Sequence, residues 1–169
     1  MAKALGSWSA MRRYLEEEML AGSLRGRVQY SCTTFKNMDG CHVFEIRIDG
    51  KTAQQFSFDM VASRVYEGVR PIDKNEFWQG LWNEKKKAFI DRRFFDDMDF
   101  AAALREYRSL PITSSMHSGN PLVRMFAVLD RRMGKRTLLA LAETLNSQPE
   151  WLRYFYKLRM RAEHILCDV

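Results

Sequence analysis

The chain has 169 residues, of which 46% are hydrophobic and 28% are charged, a composition typical of one globular domain and unlike a disordered or collagen-like chain. Its 27 basic and 21 acidic residues give a formal net charge of +6. The sequence has no apolar run of the roughly 18–20 residues that a membrane helix requires, and its first residues lack the apolar stretch of a secretory signal. We therefore expect a cytoplasmic, non-membrane protein with a single domain over residues 1–169.

The first predicted element is an amphipathic helix over residues 7–22. Ser7 or Ser9 is placed to cap this helix at its start, and Gly22 to end it. Its apolar residues recur at helical spacing, while charged residues lie on the other faces. The apolar positions are Trp8, Met11, Leu15 and Met19.

The hydrophobic period then changes from helical to alternating, which predicts a three-stranded antiparallel meander over residues 26–58. Alternation runs from residue 28 to 34 and again from 42 to 48, and Phe56 with Phe58 closes the third strand. Asp-Gly pairs at 39–40 and 49–50 separate these runs and are typical of tight hairpin turns.

Beyond the meander the pattern is helical, so the predicted fold class is α+β. Residues 1–70 contribute a helix and a small sheet, and residues 71–169 contribute a helical half. One predicted helix, over 75–90, carries Trp78 and Trp82. The other predicted helices span residues 59–67, 96–109, a short turn after Pro111, 121–133, 136–146 and 149–166.

Two of the last helices are similar to the helix pairs of HEAT-type repeats. A proline starts the first helix, an aspartate lies near its end, and a short basic turn leads to a leucine-rich second helix. The residues concerned are Pro121, Leu129, Asp130, Arg136, Leu138 and Leu139. A single copy predicts a HEAT-like helix pair within the domain rather than a repeat array, because arrays need about three copies.

The three cysteines, Cys32, Cys41 and Cys167, form no C-x-x-C pair, and their number is odd. Together with His42 they lack the spacing typical of zinc ligands. Free, buried thiols are the favoured interpretation, with a Cys32–Cys41 disulfide across a hairpin as the alternative. The three histidines are scattered along the sequence, and Gly134-Lys135 lacks the earlier glycine of a phosphate loop, so we predict neither catalytic residues nor a cofactor.

Excess positive charge is concentrated after residue 120, where the sequence contains nine basic and five acidic residues. Arg124, Arg131 and Lys135 are spaced seven and four apart, which predicts that they share one side of a helix. Gly134 precedes a helix start whose free N–H groups favour anions. The predicted binding residues are Arg124, Arg131, Arg132, Lys135, Arg136, Arg153, Lys157 and Arg161. The alternative is a solvated face with internal ion pairs to Asp130, Glu143, Glu150 and Glu163.

Two further clusters carry charge. A second basic cluster consists of Lys85, Lys86, Lys87, Arg92 and Arg93, and three successive lysines spread around a helix in the manner of a solvated surface. An acidic cluster lies at a predicted helix start, where carboxylates favour capping. It consists of Asp96, Asp97 and Asp99, which could alternatively bind a divalent metal in a nuclease.

Two stretches carry a family resemblance. One is the run from Trp8 to Leu15 followed by LRGRVQY at residues 24–30; the other is NPLVR at 120–124 followed by LDRRMGKR at 129–136. They resemble a functionally uncharacterised family of small bacterial proteins of mobile elements. That resemblance implies a protein that binds host machinery, for which an inhibitor of CRISPR nucleases is one example.

Three functional hypotheses follow. The first is a non-catalytic binding protein of a phage or mobile element whose basic helical surface engages nucleic acid or a nucleoprotein enzyme, such as a Cas effector nuclease in an anti-CRISPR-like role. The second is a metal-dependent nuclease that uses Asp96, Asp97 and Asp99. The third is a plain interaction domain that forms homo-oligomers.

Overall fold

The computed structural model describes residues 6–34, 42–58, 60–61 and 93–165. They form an N-terminal helix, a three-stranded antiparallel sheet and a helical C-terminal half, which confirms the predicted α+β class. Within these ranges, no helix has the length and apolar character needed to cross a membrane.

The N-terminal helix begins as predicted at Ser7, whose Oγ accepts a hydrogen bond of 3.3 Å from the N–H of Ala10. Helix α1 spans Trp8–Arg13 and continues as a π-helix over Tyr14–Met19, followed by a 3₁₀ turn at Gly22–Leu24. The uniform α-helix predicted to residue 22 was therefore wrong. In an α-helix, a residue and the fourth residue after it differ by about 40° in direction around the axis, so apolar residues at this spacing gradually leave one side. A π-helix has more residues per turn, which counteracts this rotation and keeps the apolar side buried.

The sheet has the strand order β1-β2-β3, with β1 at Val28–Thr34, β2 at His42–Ile48 and β3 at Lys51–Phe56. The predicted turn at Asp49-Gly50 is confirmed, and both residues have positive φ angles, 51° and 79°. Such angles at both central positions are those of the tight hairpin turn that Asp-Gly favours. The turn predicted at 39–40 lies outside the described residues.

The described C-terminal helices are α2 (Asp97–Ser109), α3 (Ile112–Met116), α4 (Pro121–Leu129), α5 (Lys135–Glu143) and α6 (Glu150–Ala162), with a 3₁₀ turn at Leu145–Ser147. The helix predicted over 121–133 ends early, since residue 130 leaves the helix to bridge another segment. The helix predicted over 75–90 and nearly all of that over 59–67 lie outside the described residues.

Helix α4 lies at the centre of the core. Seven of its nine residues are buried, and it packs against α2, α3 and α6. A helix that is apolar nearly all round needs neighbours on several sides, and the HEAT-like pairing of α4 with α5 stays a prediction. Phe100 of α2 joins the two halves, with ring centroids 4.5 Å from Phe44 of β2 and 5.6 Å from Phe126 of α4.

Candidate functional site

The turn between α4 and α5 brings together several exposed cations of the predicted binding residues. Arg131, Lys135 and Arg136 are exposed, and among the described residues none of them has an ion-pair partner. We call these three residues the basic turn. Gly134 precedes α5 without a side-chain cap, so the first N–H groups of the helix also face outward with their partial positive charge.

A buried carboxylate fixes the start of this turn. Asp130 is fully buried and accepts a hydrogen bond from the hydroxyl of Tyr107 in α2. Arg132 donates to the same carboxylate from its backbone N–H at 2.7 Å, from Nε at 2.9 Å and from Nη2 at 2.6 Å. Burial raises the pKa of Tyr107, and the negative charge of Asp130 raises it further. The hydrogen bond to Asp130 raises the pKa of Arg132. Because Arg132 neutralises Asp130, the net charge of the turn comes from the other cations.

The N-terminal segment fixes the same turn through backbone hydrogen bonds. Ala21 donates from its N–H to the carbonyl of Leu129 at 2.9 Å, and Arg131 donates to the carbonyl of Met19 at 2.8 Å. These bonds form an isolated antiparallel bridge between Leu20 and Asp130. The exit of the π-helix therefore determines where the basic turn lies.

A buried arginine fixes the far end of the turn. Arg159 of α6 is 3% exposed and donates from Nη2 to the carbonyl of Met133 at 3.1 Å. Its Nη1 lies 2.9 Å from Glu163 and 3.0 Å from the hydroxyl of Ser23, and burial lowers the pKa of its guanidinium. Sequence analysis missed Arg159. Its position four residues after the buried Phe155, on the apolar side of α6, was the available signal.

Two of the predicted arginines do not belong to this exposed surface. Arg124 is half-buried and donates from Nη1 to the carbonyl of Ser118 at 2.5 Å. The shared helix side predicted for Arg124, Arg131 and Lys135 was wrong, because α4 ends at Leu129 and Lys135 begins a different helix. Arg132 keeps about half of its side chain exposed, but its donors are directed at the buried carboxylate.

Arg153, Lys157 and Arg161 lie on α6, on a second surface. Lys157 and Arg161 are exposed and Arg153 is half-buried. A separation of two residues corresponds to about 200° around an α-helix, so Lys157 and Arg161 lie nearly opposite Arg159. Since Arg159 faces the basic turn, the α6 cations and the basic turn form two surfaces rather than one.

The internal ion pairs weighed as the alternative are realised only in part. Asp130 pairs with Arg132, and Glu163 pairs with Arg159, which was not among the predicted binding residues. Within the described ranges, Glu143 and Glu150 form no salt bridge. The solvated-face alternative therefore accounts for Arg132, while the basic turn has no ion-pair partner within the part of the chain that the structure describes.

The acidic cluster caps helix α2. The N–H of Asp99 donates to Asp96 Oδ1 at 2.8 Å, and the N–H of Asp96 donates to Asp99 Oδ2 at 3.0 Å, forming a reciprocal capping box. In the part of the chain that the structure describes, no group of three or more His, Cys, Asp or Glu side chains could hold a metal ion.

The remaining predicted residues are partly outside the described ranges. Arg93 is exposed, and its Nε donates to Gln54 at 2.9 Å, while Lys85, Lys86, Lys87 and Arg92 lie outside. Cys32 is a free thiol, as favoured, 3.8 Å from Nδ1 of His42, and burial raises its pKa. Cys41 and Cys167 lie outside the described residues.

A family model matches most of the chain. The model of the SF0329 protein family matches residues 7–160, a range that includes the π-helix exit, the basic turn and nearly all of α6. No curated protein and no solved structure matches the chain.

Proposed function

We propose that this chain, which belongs to the SF0329 protein family, is a non-catalytic binding protein whose basic turn contacts the phosphates of a nucleic acid, alone or within a nucleoprotein enzyme. The observation that carries the proposal is the combination of three exposed cations, which have no ion-pair partner among the described residues, with a turn fixed on three sides. Asp130, Arg159 and the bridge to Leu20 supply the fixing contacts.

Physical chemistry favours phosphate as the ligand of such a turn. Cations that neutralise phosphates release condensed counterions, which provides binding free energy at low salt. A turn fixed before binding loses little conformational entropy when it docks. The N–H groups at the start of α5 add donors beside Lys135 and Arg136, as at other helix starts that bind anions.

The most concrete form of the proposal is an anti-CRISPR-like inhibitor of a Cas nuclease, carried by a phage or mobile element and acting in the cytoplasm. It is supported by the resemblance of LRGRVQY and LDRRMGKR to proteins of mobile elements. A guide-loaded nuclease presents both nucleic-acid phosphates and a basic channel built to receive them. An inhibitor that competes for those phosphates needs no catalytic residue of its own.

The test measures binding to fluorescent single-stranded RNA, duplex DNA and a guide-loaded Cas9-type nuclease. We expect the double variant Lys135→Glu/Arg136→Glu to lose most of its affinity for the ligand that the wild type binds. The matched control is Lys51→Glu/Arg105→Glu, which makes the same charge change at exposed residues of β3 and α2. An equal loss of affinity in both double variants would mean that only the net charge of the protein matters. Unchanged affinity in Lys135→Glu/Arg136→Glu would refute the proposal.

The same samples test the alternatives. Incubation with magnesium or manganese followed by gel analysis detects cleavage, which the nuclease hypothesis requires and which Asp97→Ala would abolish. Sedimentation of the protein alone at several concentrations detects the homo-oligomers that a plain interaction domain predicts.

A further inference from the structure

The exposed face of α6 combines positive charge with an uncovered aromatic ring. Arg153, Tyr154, Lys157 and Arg161 lie within an arc of about 100° around the helix. Glu150, in the first turn, is the one acidic residue of α6 on the same side. Three cations and one carboxylate leave this face, which we call the α6 face, with a positive balance.

Tyr154 differs from the other aromatic residues of the helix. Its side chain is 49% exposed, whereas Trp151, Phe155 and Tyr156 are buried at 5%, 1% and 1%. Its ring meets Phe155 edge to face, with centroids 5.6 Å apart and planes at 82°. This contact orients the tyrosine ring while leaving about half of the residue accessible to a ligand.

Cations before and after an exposed aromatic residue along the helix axis match the chemistry of a single strand. In a single strand the base faces are accessible for stacking, whereas in a duplex they are covered by neighbouring base pairs. Successive cations at 153, 157 and 161 are separated by about 6 Å along the helix axis, so they can follow a phosphate backbone past the ring.

We propose that the α6 face binds single-stranded nucleic acid, with Tyr154 stacking on a base and Arg153 and Lys157 neutralising the flanking phosphates. The inference rests on the proposed function for the class of ligand and adds the strand type. It concerns a surface separate from the basic turn, since Arg159 points to that turn from the opposite side of α6.

The test compares wild type, Tyr154→Ala and Tyr154→Phe for binding to oligothymidine, oligouridine and a DNA duplex. Stacking of one base contributes a factor of about 5 to 150 in affinity, so Tyr154→Ala should lose that much on the single strands. It should bind the duplex like wild type, and its dependence on salt should not change because no cation is removed. Tyr154→Phe keeps the ring face and should bind like wild type.

The cation variant gives a complementary result. Arg153→Glu/Lys157→Glu should lower the steepness of the salt dependence on single strands by about 0.7 for each cation removed. The affinities for oligothymidine and oligouridine show whether the α6 face prefers single-stranded DNA or single-stranded RNA. Unfolding curves for Tyr154→Ala that match wild type exclude a folding defect.

Several outcomes overturn this inference. Equal affinity of Tyr154→Ala and wild type for both single strands would exclude stacking, and equal losses on strand and duplex would exclude selectivity for single strands. If Lys135→Glu/Arg136→Glu weakens binding while Tyr154→Ala does not, the basic turn retains its proposed function and only the α6 face loses its assignment. If wild type binds no free polynucleotide, the α6 face loses its assignment, and the proposed function of the basic turn fails as well if the guide-loaded nuclease is not bound either.

Discussion

Replacing Asp130 by asparagine tests whether the buried carboxylate fixes the basic turn. Its oxygens accept from the Tyr107 hydroxyl and from three donors of Arg132, so the amide nitrogen of asparagine would face donors. Breaking a buried ion pair costs about 3–5 kcal/mol. Arg132 is 49% exposed and regains water, so we expect the lower end, about 3 kcal/mol.

The assay is equilibrium unfolding in urea together with thermal melting. A loss of about 3 kcal/mol corresponds to a decrease of roughly 6–12 °C in Tm for a chain of this size. Tyr107→Phe, which leaves the Arg132 donors on the carboxylate, should cost only about 1 kcal/mol. The double variant should be more stable than the sum of the two losses predicts, because phenylalanine presents no hydroxyl to the amide.

A cost below about 1 kcal/mol for Asp130→Asn, or strictly additive losses in the cycle, would refute this reasoning. Either result would mean that the carboxylate and the tyrosine do not act as one unit. The position of the basic turn would then depend on the Leu20 bridge and on Arg159.

Three other measurements check separate parts of the structure. If the basic turn makes three phosphate contacts, raising the salt concentration from about 50 to 200 mM should weaken duplex binding by wild type about 40-fold. The variant Lys135→Glu/Arg136→Glu keeps one contact, so its affinity should fall only about 4-fold over the same range. An equal loss of affinity with salt in both proteins would contradict the site. Burial raises the pKa of Tyr30 above the ordinary tyrosine value, so stability present below about pH 10 should be lost as pH rises further, because the unfolded chain ionises first. Tyr30→Phe should flatten that loss in melts and, since the hydroxyl has no partner among the described residues, cost little at pH 7. Asp96→Ala should cost about 1 kcal/mol as a lost cap while Asp97→Ala costs less; the reverse order in unfolding curves would contradict capping.

The sequence pattern correctly predicted those elements that are determined by residues close together in sequence. The Asp49-Gly50 turn follows from two residues that tolerate positive φ, and the start of α2 follows from carboxylates three apart. Neither requires knowledge of a distant segment.

Features that depend on distant segments could not be predicted in this way. Helix α4 ends where residue 130 pairs with Leu20, and Arg159 is buried because Ser23 and Met133 accept its donors. The spacing of apolar residues indicates which residues share a side of one helix. It does not indicate which residues form contacts with segments more than a hundred residues away. The cations of the basic turn were found from composition, whereas their separation from the α6 face required the fold.

The bridge between Leu20 and Asp130 makes the basic turn depend on long-range contacts of the fold. Its two strands are about 110 residues apart in sequence, so closing this contact requires the long-range topology to be in place. The residues that carry the charge are adjacent in sequence, yet their arrangement depends on the docking of a segment about 110 residues earlier in the chain. Substitutions at Met19 or Ala21 that shift this segment should therefore disturb recognition without altering a single charge.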